Sequence, residues 1–194
     1  MRPDAGRILF AGRDVTRLPP HWRAMLGIAR SFQITSVFPE FSALANVAMA
    51  VQAQAGHGFR FWRKALADPA LVEPAREALD TIGLGRADVT AADLSHGERR
   101  QLELAMALAM RPRLLLLDEP MAGMGRQDGA RMTRILGDLK ARYTILLDEH
   151  DMDAVFALAD RVTVLVAGRA IATGSPDEIR ANPEVRAAYL GKKH

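Results

Sequence analysis

Apolar side chains in this chain follow two spacings, one typical of helices and one typical of strands. In several stretches they recur three and four residues apart, as on a helix face that packs against its neighbours. These stretches are residues 44–51, 72–82, 102–110, 132–139 and 152–159. Short apolar runs bounded by Gly, Pro or charged residues predict strands. Such runs occur at 28–32, 114–117, 144–147, 161–167 and 169–173, and two short strands are predicted around Gly12. The strand at 144–147 is expected to be buried. The alternation of strands with helices predicts an α/β fold.

Two helix ends can be predicted from local signals alone. A short helix over residues 20–27 is expected to end at Gly27, since glycine commonly follows the last helical residue. The Ser-Pro-Asp-Glu run at 175–178 predicts a helix start, because Ser followed three residues later by Glu forms a capping box.

Residues 114–117 are four leucines, preceded by Arg-Pro-Arg and followed by Asp-Glu-Pro. A run of this length without polar positions predicts a strand buried on both faces, as in a parallel sheet. Asp118 and Glu119 would then stand at the carboxyl end of a core strand, where open α/β sheets bind their ligands. The alternative for a lone Asp-Glu pair is a solvated acidic turn. The helix predicted just before the strand disfavours that alternative, because it indicates a packed unit.

A turn of small residues at 94–98 precedes that helix, which we expect to run from about 98 to 110. Ser95 is a residue type that caps helices, and Gly97 can leave backbone N–H groups exposed. Because the amino end of a helix carries partial positive charge, such a turn is a ready site for an anion. The stretch therefore joins a predicted anion-binding turn, a helix, a strand and two carboxylates in fixed order.

The composition of the chain mainly excludes certain kinds of protein and of functional site. Its 194 residues suffice for one domain with a sizeable core, and 49% of them are hydrophobic. The net charge of +3 is small and scattered, so a nucleic-acid partner is not indicated. The absence of cysteine excludes disulfides and cysteine-based metal sites or nucleophiles. No apolar run approaches the roughly 18 residues that span a bilayer, and no leader pattern is present, so we expect a soluble cytoplasmic protein.

The sequence at 94–98, Leu-Ser-His-Gly-Glu, resembles the signature motif of ATP-binding cassette (ABC) ATPases, usually written LSGGQ. His96 stands where this motif usually has Gly, and Glu98 where it usually has Gln. Residues 114–119 resemble the Walker B strand and catalytic glutamate of the same family, at the family's spacing from the signature. The resemblance implies an α/β, P-loop NTPase-like cassette with a mostly parallel sheet, acting on ATP with Mg²⁺.

The same resemblance predicts the domain organisation. Residues 1–194 would form a single, partial ABC ATPase domain, with an α-helical subdomain inserted at 41–93. An aromatic stretch at 56–62 falls inside that subdomain, and its role is open between a partner-docking patch and a satellite core.

The resemblance also assigns roles to four polar residues. Asp118 would help to hold Mg²⁺, and Glu119 would polarise the water that attacks ATP. Gln33 matches the Q-loop glutamine, which contacts Mg²⁺ and the attacking water and senses the membrane partner. His150 matches the switch histidine, which contacts the γ-phosphate. Taken alone, a Gln is more often a surface residue and a His more often a structural one.

In the family, two cassettes meet head to tail with ATP between them. Ser95 and the backbone at Gly97 would grip the γ-phosphate of ATP on the opposite cassette, and His96 and Glu98 complete this nucleotide-binding turn. Catalysis is then largely positioning and electrostatic stabilisation. A second Asp-Glu pair at 148–149 resembles the first, but the longer leucine run and the following proline favour the first pair.

The sequence departs from the family pattern in its phosphate-binding loop. No G-x-x-x-x-G-K-[ST] occurs in it, and the family places that loop upstream of the position of Met1. We therefore expect a cassette without its N-terminal strands and phosphate loop. It would lack a core strand beside 114–117 and expose apolar area of the leucines there and of residues 145–147. Because that loop cradles the phosphates, ATP binding by this chain alone is not expected. Gly125 stands where the family usually has an Asp that contacts the other cassette.

Four phrases resemble the ATPase subunits of branched-chain amino acid importers, namely residues 26–33, 122–124, 149–152 and 188–191. The implied partners are a second ABC ATPase subunit, integral-membrane permease subunits and, indirectly, a periplasmic binding protein. The chain would lie on the cytoplasmic face of the cell membrane, with no nucleic acid.

Two other functions compete with the importer subunit. One is a catalytically dead cassette remnant, which the absent phosphate loop favours. The other is a soluble cassette protein of translation or DNA repair. The segment between Gln33 and Leu94 is too short for the long coiled coils of the repair type, and the translation type carries two cassettes in tandem.

Overall fold

The structure, a computed structural model, describes residues 3–31, 37–55 and 65–190. The chain divides into two compact units, Met1–Asp148 and Glu149–His194. Within the described ranges, no helix is both long and apolar enough to cross a membrane. The predictions for Gln33 and for the aromatic stretch at 56–62 lie outside the described residues.

The first unit begins with a small hairpin and then alternates strands with helices. Its elements are β1 (Leu9–Phe10), β2 (Arg13–Asp14), α1 (Pro20–Met25), β3 (Ile28–Arg30), α2 (Ala43–Gln54), α3 (Pro69–Thr81), α4 (His96–Ala109), β4 (Leu114–Asp118), α5 (Arg126–Leu139) and β5 (Thr144–Asp148). The hairpin turn at Ala11 and Gly12 has positive φ at both positions, as a two-residue hairpin turn requires. Gly27, at φ 94°, follows α1 as predicted.

Strands β3, β4 and β5 form one parallel sheet with β4 in the centre. Leu115 of β4 pairs with Ala29 on one side and with Ile145 on the other. The prediction that a core strand is absent beside 114–117 is therefore wrong, because the chain's own β3 and β5 occupy both edges of β4. Among the described strands, β3 and β5 are the two edge strands of this sheet.

Burial in the sheet alternates along the strands instead of covering both faces. Leu115 and Leu117 are 0% and 2% exposed, whereas Leu114 and Leu116 are only half-buried. Leu146, the β5 partner of Leu116, is 63% exposed. The predictions that 114–117 is buried on both faces and that 144–147 is a buried strand are therefore wrong for one face of the sheet. The predicted exposure of apolar area occurs at Leu146 of β5, whereas Leu115 and Leu117 of β4 are buried.

This asymmetry predicts a difference between two leucine truncations. Leu115→Ala should lower the free energy of unfolding of the first unit by about 2–5 kcal/mol, because it opens a cavity in the core. Leu146→Ala removes a mostly exposed side chain and should change the free energy of unfolding by less than about 0.5 kcal/mol. Urea unfolding followed by circular dichroism measures both variants. Equal losses would contradict the burial described for the sheet.

Helices α2, α3 and α4 pack against one another. The starts of α2 and α3 are capped by side chains, Ser42 accepting from the Ala45 N–H and Asp68 from the Ala70 N–H. Most of α4 is buried, including Gln101 and Glu103, so the prediction that only one of its faces packs is wrong. The reason is that α4 lies between the helices of the first unit and its sheet.

The chain enters and leaves the helical segment through paired backbone. Ala43 N–H donates to the Val89 carbonyl at 2.9 Å and Ala91 N–H donates to the Phe41 carbonyl at 2.8 Å. Buried Asn46 fixes the same entry point, since its side chain bonds to Phe38 N–H at 2.7 Å and to nearby carbonyls. This closure lies near the boundaries 41 and 93, although the subdomain itself stays a prediction.

The second unit is a hairpin surrounded by short helices. It contains α6 (Met152–Leu158), β6 (Val162–Val166), β7 (Arg169–Gly174), α7 (Pro176–Ala181) and α8 (Pro183–Val185), followed by a π-helical turn at Arg186–Leu190. Its core is formed by Val162, Val164, Ile179 and Val185. The predicted strand pair and the predicted capping box of Ser175 and Glu178 are both confirmed.

Candidate nucleotide site

Asp118 ends the central strand of the sheet, as the sequence predicts. Its Oδ2 accepts a hydrogen bond from Arg30 Nη2 at 3.0 Å, and its backbone N–H donates to Ser31 Oγ at 3.2 Å. Arg30 and Ser31 end and follow the neighbouring strand β3. The side chain of Arg30 is 61% exposed, and an ion pair of this kind is worth about 0–1 kcal/mol. Arg30 therefore holds the Asp118 carboxylate in place at the carboxyl end of β4. Because this ion pair is weak, a bound cation can displace Arg30 from the carboxylate.

Glu119 has an unusual backbone conformation for a residue with a side chain. Its φ is 44°, and its N–H donates to the Asp148 carbonyl at 2.9 Å. Its own carbonyl accepts from the Ala122 N–H at 3.1 Å. Backbone strain of this kind costs about 1–3 kcal/mol and persists where surrounding contacts enforce it, often at functional sites. The turn aims the chain away from β4 directly after the two carboxylates.

The signature turn is the capped start of α4. Ser95 is the N-cap residue, and its Oγ accepts from the Glu98 N–H at 3.2 Å. In return, Glu98 Oε2 accepts from the Ser95 N–H at 2.8 Å, which completes a capping box. Ser95 itself is exposed. Glu98 therefore has a structural role, whatever part it takes in nucleotide binding.

The charge of Glu98 is stabilised by this cap. The Ser95 N–H is the main cause that lowers the pKa of Glu98, and the Ser95 hydroxyl and Arg86 lower it further. The Arg86 guanidinium lies 3.1 Å from the carboxylate. The contacts with Ser95 and Arg86 favour the ionised form of Glu98. Partial burial favours the neutral form, but its effect is smaller than that of these contacts together.

The lowered pKa predicts a pH-dependent effect of Glu98→Gln. Above the usual pKa of about 4.5, the variant should lose about 0.3–1 kcal/mol of unfolding free energy, because a carboxylate at a helix amino end is stabilising. As pH falls below that value and through the lowered pKa of the folded state, the two proteins should converge. Urea unfolding at a series of pH values measures this. Glu73→Gln, at an exposed position of α3 away from its capped start, is the control.

His96 and Gly97 contact the chain segment that follows Glu119. His96 Nε2 lies 3.2 Å from the Ala122 carbonyl oxygen. A Cβ placed on Gly97 would lie 2.7 Å from the Asp128 carboxylate, so a larger residue there would require the Asp128 side chain to move. The structure thus brings the signature turn and the segment after the two carboxylates together within one chain.

The remaining predicted residues are placed as follows. Gln33 lies outside the described residues. His150 belongs to the second unit, is exposed, and directly precedes Asp151, which caps α6. Asp148 ends β5 beside Asp118, so the two Asp-Glu pairs follow neighbouring strands. Gly125 is the N-cap residue of α5 and offers no side-chain cap.

Sequence reasoning missed four residues that shape this region, namely Arg30, Ser31, Arg86 and Asp128. Each acts on a residue far along the chain, so no local pattern shows the contact. The capping partner of Ser95 is different, since Ser followed three residues later by Glu is a visible signal. No group of three or more His, Asp or Glu side chains gathers into a metal site in the described part of the chain.

Comparison with known proteins decides the family. The sequence model of the ABC transporter family matches residues 1–122. The chain belongs to the ABC transporter family. A second model, that of the branched-chain amino acid ATP-binding cassette transporter, matches residues 171–194 of this cassette.

Curated relatives of the cassette include transport ATP-binding proteins of two kinds. LivG of Salmonella typhimurium, a high-affinity branched-chain amino acid transport ATP-binding protein, is 35% identical over 98% of this chain and 78% of its own length. BraF of Pseudomonas aeruginosa, of the same description, is 34% identical over the same shares. LptB of Acidithiobacillus ferridurans, a lipopolysaccharide export system ATP-binding protein, is 36% identical over 98% of this chain and 76% of its own.

Solved structures confirm the fold of the cassette. The ADP conformation of MJ1267, an ATP-binding cassette of an ABC transporter, superposes with a TM-score of 0.82 at 26% identity, covering 99% of this chain and 79% of that one. The cbiO1 protein from Clostridium perfringens, part of the transporter complex cbiONQ, gives a TM-score of 0.77 at 25% identity, covering 100% and 75%. The predicted ABC cassette fold and the resemblance to branched-chain amino acid transport ATPases are therefore confirmed.

Proposed function

We propose that this chain is the ATP-hydrolysing subunit of an importer for branched-chain amino acids. The observation that supports the proposal is the contact, within one chain, between the signature turn, which would serve ATP on the opposite cassette, and the segment following Asp118 and Glu119, which would serve the chain's own site. The similarity to LivG and BraF and the match at 171–194 support the choice of cargo.

The carboxylate of Asp118 suits Mg²⁺, which is usually bound through one or two carboxylates together with the phosphates of its nucleotide. The ion supplies positive charge that neutralises phosphate oxygens during the transfer. Asp118 is half-buried at the sheet edge, and its partner Arg30 is exposed enough to move away. Arg30 thus orients the Asp118 carboxylate before nucleotide binds.

Glu119 orients the attacking water and accepts its hydrogen bond, while Ser95 donates its hydroxyl to the γ-phosphate of ATP on the opposite cassette. Gln33 and His150 position the water and the γ-phosphate. Glu98 supports Ser95 through the capping box, at 2.8 Å from the Ser95 N–H. Because these groups mainly hold charges and atoms in place, catalysis depends on their geometry.

The implied assembly contains a second ABC ATPase subunit, integral-membrane permease subunits and a periplasmic binding protein. The chain would lie at the cytoplasmic face of the cell membrane and would bind no nucleic acid. An inactive cassette is the second candidate. The similarity to LptB favours a third, an exporter ATPase.

Reconstitution tests the proposal. The chain is co-expressed with the permeases, second ATPase subunit and binding protein of a branched-chain amino acid system from the same genome, and the complex is placed in liposomes. We expect ATP-dependent uptake of labelled leucine that requires this chain. An assembled complex that neither hydrolyses ATP nor transports would indicate the inactive cassette. Hydrolysis without leucine uptake would show that the cargo is wrong.

A further inference from the structure

His96 is linked to Glu119 through two hydrogen bonds. Its Nε2 lies 3.2 Å from the Ala122 carbonyl oxygen, and the Ala122 N–H donates to the Glu119 carbonyl at 3.1 Å. A carbonyl oxygen can only accept, so His96 donates from Nε2, and the ring carries its proton there. The ring thus connects the signature turn to Ala122, and Ala122 in turn bonds to the backbone of Glu119, the residue that we propose orients the attacking water.

The fit around this link is close. Gly123, at φ 73°, faces the ring so tightly that a Cβ there would lie 3.2 Å from His96 Nε2. A Cβ on the next residue of the turn, Gly97, would meet Asp128 at 2.7 Å. The turn therefore contacts the segment 122–128 at two places, through the His96 ring and through Gly97. The hydrogen bond from His96 is the contact that can hold the two segments in a fixed relation.

We propose that His96 is a positioning residue, which holds the segment 122–124 and through it the strained backbone of Glu119. This inference rests on the proposed function. Ser95 serves ATP on the opposite cassette, whereas Glu119 serves the chain's own site. His96 therefore couples one composite site to the other within a single chain.

Three variants separate the hydrogen bond from other effects. His96→Leu keeps side-chain volume and removes the donor, and His96→Gln keeps an N–H donor at similar reach. His21→Leu, at an exposed histidine of α1 beside Trp22, is the matched control. Each is introduced into this chain, preceded by a phosphate-loop segment so that its own site can hold ATP, within the reconstituted transporter, and kcat and KM for ATP are measured.

We expect His96→Leu to lower kcat by about threefold to tenfold, the size of one lost hydrogen bond, with KM for ATP nearly unchanged. His96→Gln should restore most of kcat, and His21→Leu should leave it unchanged. A raised KM with normal kcat would overturn the inference, because His96 would then serve ATP binding by its own turn. Equal loss in the Leu and Gln variants would overturn it as well.

A second measurement needs no ATP turnover, so it stands even if the proposed function fails. Amide exchange of the full chain is followed by NMR at Ala122 and Met124, whose N–H groups bond to Glu119 and Met121. His96→Leu should accelerate exchange at both positions by about threefold, and His96→Gln should not. Unchanged exchange in His96→Leu would overturn the inference. An inactive wild-type complex with the expected exchange pattern would refute only the proposed function.

Discussion

Glu119→Gln is expected to lower ATP turnover by about 100-fold or more while ATP binding persists. The substitution keeps the size and the hydrogen-bonding reach of the side chain but removes the charge that polarises water, and positioned acid–base groups contribute about 10²–10⁴-fold. The test uses a chimera in which the phosphate-loop segment of LivG precedes Met1, so that ATP binding can be measured separately. Turnover is followed by phosphate release and binding by calorimetry.

Glu149→Gln is the matched control for this experiment. Glu149 belongs to the second Asp-Glu pair, which follows β5 as Asp118 and Glu119 follow β4. The Glu149→Gln variant should retain most of the ATP turnover of the parent chimera. If Glu149→Gln abolishes turnover and Glu119→Gln does not, the wrong pair has been assigned to catalysis.

Most elements of this fold can be predicted because their signals are local. Gly27 after α1, the Gly12 hairpin turn and the capping box of Ser175 and Glu178 each depend on residues within one turn of the chain. The signature turn and the Asp118–Glu119 pair are also local, and their order alone indicates the family. These features need no knowledge of which elements meet.

The pairing of strands could not be predicted, because it is not local. Nothing in the sequence at 114–117 shows that β3 and β5 occupy both edges of β4. Successive residues of a strand point to opposite faces of the sheet. When all four are leucine, the sequence does not show which of them face the core. The exposure of Leu146 follows from the position of β5 at the edge of the described sheet. The positive φ of Glu119 depends on its bond to Asp148 in a different strand.

Glu98 shows how a family motif can hide a physical signal. As the last residue of the signature it was assigned to nucleotide binding. The spacing from Ser95 also indicates a capping box, and the structure contains both of its hydrogen bonds. Arg86, which strengthens the charge of Glu98, lies 12 residues earlier and has no sequence signal. The sequence therefore shows the contact between Ser95 and Glu98 but not the contact between Arg86 and Glu98.

Ser95→Arg is expected to abolish the ability of this chain to complete an ATP site on a partner cassette. Ser95 is exposed on the signature turn, so its hydroxyl is available to the γ-phosphate of ATP held by another chain. The test mixes this chain with an intact cassette whose own signature serine is replaced. Wild-type chain should restore about one working site of two, because the partner supplies the phosphate loop and this chain supplies Ser95.

A separate control is needed because Ser95 also caps α4, and loss of an N-cap costs about 1 kcal/mol. Ser175→Arg removes the equivalent cap, with the same capping box, from α7 in the second unit. If rescue depends on the Ser95 hydroxyl, the Ser175 variant should still restore hydrolysis, whereas the Ser95 variant should restore none. Loss of rescue in both variants would indicate that destabilisation is the cause. If the wild-type chain is folded but does not restore hydrolysis, the proposal that its signature turn binds ATP held by a partner is contradicted.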